Sequence, residues 1–168
     1  SAFGIQRYTP ELTKNGSPIL KSYFTGDNIH SPFRIETNGG KLYIADNAYN
    51  NPGVWVYDPA KGEVATNMFV GTNDGNGQIV NGSVATGGQS TGVAFIGEGA
   101  DRKMYTFSED YPTINGGNRV LRYDLGQNDT WAAAPSAQFD AVSTLLANAN
   151  VELVATDKGV FCSQTRYS

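Results

Sequence analysis

Three acidic residues close runs in which apolar and polar residues alternate. They are Asp46, followed by Asn47; Glu109, in Ser108-Glu109-Asp110; and Asp157, after Thr156. If those runs are copies of one strand, the carboxylates converge at one end of the fold. There they can receive a sugar hydroxyl or a hard cation such as Ca²⁺, which takes oxygen ligands. The same residues also suit a local role, each accepting backbone N–H bonds of its own turn. Tyr49 and Tyr111 follow two of these acids in loops, where a ring can stack on a sugar or pack its own loop. His30 is the one histidine. It reads as a solvated or hydrogen-bonded loop residue at the same end rather than a general base, and alone it makes no histidine metal cluster. The candidate ligand-binding set is therefore Asp46, Asn47, Tyr49, Glu109, Asp110, Tyr111, Asp157 and His30. No residue is nominated as catalytic, the metal ligands are left open, and no cofactor beyond Ca²⁺ is considered.

Other motifs fail on context. Gly88-Gln89-Ser90-Thr91-Gly92 matches G-x-S-x-G, but a nucleophile elbow needs a strand before it, a helix after it, and a later Asp and His. Here glycine-rich chain precedes and a strand follows. Asp74-Gly75-Asn76-Gly77-Gln78 resembles a calcium loop, yet its sixth position is Ile79 where the EF-hand turn requires Gly. Gly75-Asn76-Gly77 and Gly97-Glu98-Gly99 lack the third glycine and the helix of a phosphate cradle. Cys162 is the only cysteine, so no intrachain disulfide or cysteine metal cluster exists. Within Val160-Phe161-Cys162 it is expected to be a small buried hydrophobe.

The elements that would hold these residues repeat. Ile5-Gln6-Arg7-Tyr8, Val54-Trp55-Val56-Tyr57 and Val120-Leu121-Arg122-Tyr123 each close on a tyrosine and run into turn-rich chain, with a further strand starting near Pro18, Glu63 and Thr130. Ahead of the second and third stands another repeated strand, Lys41-Leu42-Tyr43-Ile44-Ala45-Asp46 and Lys103-Met104-Tyr105-Thr106-Phe107-Ser108. Glu152-Leu153-Val154-Ala155-Thr156-Asp157 is read as its third copy. Before those come Phe33-Arg34-Ile35-Glu36, Gly92-Val93-Ala94-Phe95-Ile96 and a weaker run from Val142 to Leu146. The unit is four short strands, A to D, which cannot bury both faces alone. Radial stacking, the β-propeller solution, covers them.

The expected fold is all-β, a propeller of four-stranded antiparallel blades in one domain over residues 1–168. Residues 1–27 give strands C–D of a split blade, 28–71 a blade, 72–91 a long loop, 92–140 a blade, and 141–168 strands A–B of a split blade. That is about three blade equivalents, so the chain is expected to be a fragment or half of a six-bladed ring. Its partner is either a second copy or the remaining blades of a parent chain, with Leu153, Val154 and Phe161 left poorly covered otherwise. The B–C and D–A connections leave at one end, where residues 71–91 and 108–117 are long and the former carries six glycines. Long loops in a compact domain tend to be functional, so this end is the expected binding face.

These strands resemble the NHL-type propeller repeat. Pro32-Phe33-Arg34-Ile35 followed by Gly40-Lys41-Leu42-Tyr43-Ile44-Ala45-Asp46 is similar to its Pro-x-Gly-Ile-Ala and Gly-x-Leu-Tyr-Val-Ala-Asp, with Arg34 where the repeat has Gly. Gly92-Val93-Ala94 restores that Gly, and Asn118-Arg119-Val120 resembles the repeat's Asn-x-Arg-Val with one spacer missing. The senescence-marker/gluconolactonase family shares the architecture. That resemblance implies a Glu, Asn and Asp set around an axial divalent metal, but no motif carries those ligands onto this sequence position by position. It speaks to fold rather than activity.

Composition narrows the partners. The 168 residues carry 12 Lys and Arg against 16 Asp and Glu, a net charge of −4, which disfavours a phosphate-backbone partner. Fifteen Asn and 20 Gly suit turn-rich β structure. No run approaches the apolar length of a membrane helix. The low charged fraction, 17%, and Asn-x-Ser/Thr triplets at Asn15, Asn81 and Asn128 lean toward an extracytoplasmic setting: secreted, periplasmic or cell surface. A chain beginning Ser1-Ala2-Phe3 reads as processed, truncated or engineered. The expected function is non-catalytic binding of a carbohydrate, peptide or protein on the loop-rich face. A metal-dependent lactonase or hydrolase of the gluconolactonase-like type, with Asp46, Glu109 and Asp157 as its acids, is the first alternative. A purely structural repeat segment is the second.

Overall fold

The computed structural model describes residues 4–16, 19–20, 32–46, 53–61, 66–67, 89–109, 119–127, 137–140 and 150–165. The chain is all-β, with no α-helix among the described residues. Among the described residues twelve strands follow in chain order: β1 (Gly4–Ile5), β2 (Ile19–Leu20), β3 (Pro32–Asn38), β4 (Lys41–Asp46), β5 (Gly53–Tyr57), β6 (Thr66–Asn67), β7 (Gln89–Ile96), β8 (Lys103–Glu109), β9 (Arg119–Asp124), β10 (Ala137–Asp140), β11 (Asn150–Thr156) and β12 (Gly159–Thr165). They form two four-stranded antiparallel meanders, β3-β4-β5-β6 and β7-β8-β9-β10, and two hairpin-like pairs, β1-β2 and β11-β12.

Alternation decides which side each residue serves, because successive side chains point to opposite faces of a sheet. In the first meander Tyr43, Ala45 and Val54 share one face, while Ile44 and Trp55 share the other. The first set meets Val93, Met104, Leu121 and Tyr123 of the second meander in one buried cluster. Ile44 and Trp55 meet Ile5 of β1. On the far side of the second meander, Ala94 and Phe107 meet Leu153 of β11. The four sheets thus stack face to face in chain order, and their first strands draw together: β7 packs against both β3 and β11.

Local chemistry fixes the turns. Asn38-Gly39-Gly40 joins β3 to β4 with both glycines at positive φ, a conformation other residues adopt at a cost. Past β5, Asp58 accepts the Ala60 amide at 3.0 Å, an Asx turn that ends the strand. Thr156 accepts the Lys158 amide at 3.1 Å as β11 reverses into β12. The join from β7 to β8 is longer and runs through a 3-10 turn at Gly99–Asp101. Gly97, at φ +75°, is required there, since a Cβ would stand 2.7 Å from the Asp101 carbonyl oxygen.

Three expectations change. Glu152 to Thr156 is the first strand of a hairpin, not a second strand: the chain turns at Asp157-Lys158 and returns as β12 in register, Leu153 opposite Cys162 and Val154 opposite Phe161. The earlier run at 142–146 lies outside the described residues, as does most of the 71–91 loop, whose last three residues belong to β7. Leu153 is well covered at 4% exposure, while Val154 and Phe161 stay open at 56% and 58%. Cys162 is exposed rather than buried, because β12 is an outer strand with no further neighbour among the described residues.

Candidate functional site

Two of the nominated acids lie at the same end of successive second strands but one residue out of register. By the pairing, Asp46 corresponds to Ser108, and Glu109 to Asn47. Asp46 ends β4 opposite Gly53, and Glu109 ends β8 opposite Gln89. Both therefore lie at the strand ends away from the β3–β4 and β7–β8 turns, where residues 47–52 and 110–118 connect onward. Asn47, Tyr49, Asp110, Tyr111 and His30 lie outside the described residues. Asp157 does not join Asp46 and Glu109. It sits in the turn between β11 and β12, the counterpart of Gly39 in the β3–β4 hairpin. Its carboxylate meets Lys158 at 3.0 Å with both side chains exposed. The misplacement has a physical root: the Asp157-Lys158-Gly159 turn, with Gly159 at φ +154°, makes this strand end a hairpin rather than a loop exit.

The opposite end of the stack holds a cavity of 370 Å³ between the two meanders, lined by Asn38, Lys41, Glu98, Arg102, Gly126 and Gln127 among others. Arg102 organises it. The side chain is 9% exposed, and its Nε donates to the Gly126 carbonyl at 2.9 Å. One terminal nitrogen donates to the Tyr43 hydroxyl at 2.9 Å and to Asn38 Oδ1 at 3.3 Å. The guanidinium carbon stands 6.0 Å from the centroids of both the Tyr43 and Phe95 rings, close enough for cation–π attraction. The Arg102 carbonyl accepts the Leu125 and Gly126 amides, each at 3.1 Å. One residue thus ties the β3–β4 hairpin to the turn after β9. Burying a guanidinium is costly unless its donors are satisfied, and these contacts engage it.

A second charged pair bridges more distant strands. Arg34 of β3 meets Glu152 of β11 at 3.2 Å, both half-exposed, across the intervening β7. Neither this pair nor Arg102 was singled out from the sequence. Arg102 carried one readable signal: a cation placed just before an apolar strand, after a connection longer than its counterpart at Asn38-Gly39-Gly40. Arg34 carried another, as the residue standing where the repeat has glycine.

No protein-family model, curated protein or solved structure matches the chain. The site is therefore judged on its own residues. Among the described residues no group of three His, Cys, Asp or Glu side chains stands together as a metal's donor set. Ser90 of the G-x-S-x-G match lies within β7, not on a strand-to-helix elbow. No helix of the described residues is long and apolar enough to cross a membrane. Partial burial pushes the Cys162 thiol above its ordinary value, the opposite of what an activated nucleophile needs.

Proposed function

We propose that the chain is a β-propeller segment that binds a carbohydrate, peptide or protein at its loop-rich end without performing chemistry on it. The convergence of β3, β7 and β11 supports the radial reading, because first strands that meet while later strands fan outward are what a propeller requires. The Arg34–Glu152 pair adds to it, since it joins the first strands of sheets that are not neighbours in the stack.

The observation that carries the binding reading is the asymmetry of the two ends. At one end the chain turns economically through Asn38-Gly39-Gly40 and Asp157-Lys158, and Arg102 is committed to holding two sheets together. At the other, Asp46 and Glu109 close successive second strands, and residues 68–88 separate β6 from β7, a longer stretch than any between successive strands at the first end. Rigid strands presenting variable loops are the usual arrangement of a binding face.

Deleting residues 72–87, which stops short of β7, should abolish binding of any ligand found by glycan-array or peptide screening, while Asp46→Asn with Glu109→Gln should weaken it. Binding that survives the deletion would overturn this face. A bound metal, with a thermal shift on adding EDTA, would instead favour the hydrolase alternative, in which metal-bound water is the nucleophile.

A further inference from the structure

We propose that the cavity between the two meanders is a binding site for a small zwitterion, a free α-amino acid held by both its carboxylate and its ammonium group. The cavity lies at the end of the stack opposite the loop-rich face and is independent of it.

The β7–β8 connection makes the space. Asn38-Gly39-Gly40 turns β3 tightly into β4, whereas the matching join from β7 to β8 runs through residues 97–102 and the 3-10 turn. Gly39 and Gly99 stand on the cavity wall, and a Cβ on either would meet nothing within 4 Å. The wall is therefore bare there, and the cavity stays open at 370 Å³. That is within the range of small-molecule sites, about 300–1,000 Å³.

The lining decides the ligand. The first meander contributes Asn38 and Lys41, and the second contributes Glu98, Arg102 and Gln127. Asn38 turns its Oδ1 to Arg102, a side chain that can only donate, so what Asn38 offers elsewhere is its NH2 group. Lys41 brings an ammonium. Arg102 is always protonated, is 9% exposed and is fixed by Gly126 and Tyr43. Its charge is therefore poorly screened by water. It acts through its field and needs no further hydrogen bond to do so. Two cations and an amide donor call for a carboxylate.

Glu98 adds the second requirement. It is the one acid among the lining residues, and although it precedes the 3-10 turn its side chain does not cap that turn. A simple anion would set like charge against Glu98, and a simple amine would set like charge against Lys41 and Arg102. Such juxtapositions reject partners. A molecule carrying one carboxylate and one ammonium satisfies both signs. Because both meanders contribute, its binding also ties them together, so it should raise the melting temperature.

Thermal shift and calorimetric titration of the 168-residue chain against the standard L-α-amino acids at millimolar concentration test this. At least one should bind and raise Tm. Its matched hydroxy acid and its matched amine should each bind about tenfold more weakly or worse. Glu98→Gln should weaken the amino acid about tenfold and erase its advantage over the hydroxy acid. Lys41→Gln should weaken it similarly and narrow its advantage over the amine, with Arg102 still in place. Unchanged circular dichroism spectra should show both variants folded. Lys158→Gln, the same charge change outside the cavity, should leave binding as it was. Several results would overturn the proposal: no binding by any of these amino acids, equal binding of the hydroxy acid or the amine, preference for inorganic phosphate or a neutral sugar, or affinity indifferent to Lys41→Gln and Glu98→Gln.

Discussion

The seam between the two meanders and the seam between the second meander and β11 use the same kinds of residue to different depth. In the first, Tyr43, Ala45 and Val54 meet Val93, Met104, Leu121 and Tyr123, all buried, and Arg102 bolts the end shut through Asn38, Tyr43 and Gly126. In the second, Ala94 and Phe107 meet Leu153, with partly buried Tyr105, Val120, Ala155 and Val160 beside them. The half-exposed Arg34–Glu152 pair passes that seam by, joining β11 to β3 of the first meander. The seam between the two four-stranded sheets is thus sealed by apolar area and a satisfied buried cation. The seam against the two-stranded β11-β12 sheet rests on the contact of Leu153.

Truncation should expose that difference. Leu121→Ala in the inner seam should cost about 3–5 kcal/mol, the range for a fully buried leucine that leaves a cavity, and Leu153→Ala should fall at the lower end, about 2 kcal/mol, because the two-stranded sheet can settle into the gap. Urea denaturation of both variants measures it. Equal losses would erase the distinction between the seams.

Arg102 sharpens the comparison. Arg102→Leu should cost about 1–3 kcal/mol by removing the donor that serves the Tyr43 hydroxyl, Asn38 and the Gly126 carbonyl. Arg102→Lys should recover little, since a point ammonium cannot reach acceptors on two sheets as the planar guanidinium does. Between β3 and β11, a double-mutant cycle on Arg34 and Glu152 should give only about 0.2–1 kcal/mol, shrinking with added salt.

The smallest effect concerns Cys162. Its raised pKa comes from partial burial, so the thiolate is disfavoured in the folded state. The folded chain should be alkylated more slowly than the unfolded chain at the same mildly alkaline pH. The sign for stability follows: the contribution is fully present below the ordinary thiol pKa and declines as pH rises through the raised one. Thiol-labelling rates across that window check both.

Much of this was readable in the sequence. The strands β4, β5, β8 and β9 announce themselves because apolar alternation, aromatic closure and flanking turns agree. The end of the chain misled because Glu152 to Asp157 resembles a second strand in composition, ending in Asp as β4 does. What separates them is the glycine two residues later, which lets Asp157-Lys158 reverse the chain into β12. Cys162 misled for a related reason: an apolar triplet shows that a strand is apolar, not whether anything lies beyond it. Arg102 was hidden because its role depends on Tyr43 and Gly126, 59 and 24 residues away in sequence, and no local pattern encodes such a meeting.

The central claim is that β3, β7 and β11 converge, so that positions 34 and 152 lie within side-chain reach across β7. Arg34→Cys with Glu152→Cys in a Cys162→Ser background, treated with a short bis-maleimide at high dilution, tests it directly. Rapid intramolecular bridging in the folded chain, lost in urea, is the expected result. A folded variant that does not bridge would contradict the convergence of β3, β7 and β11.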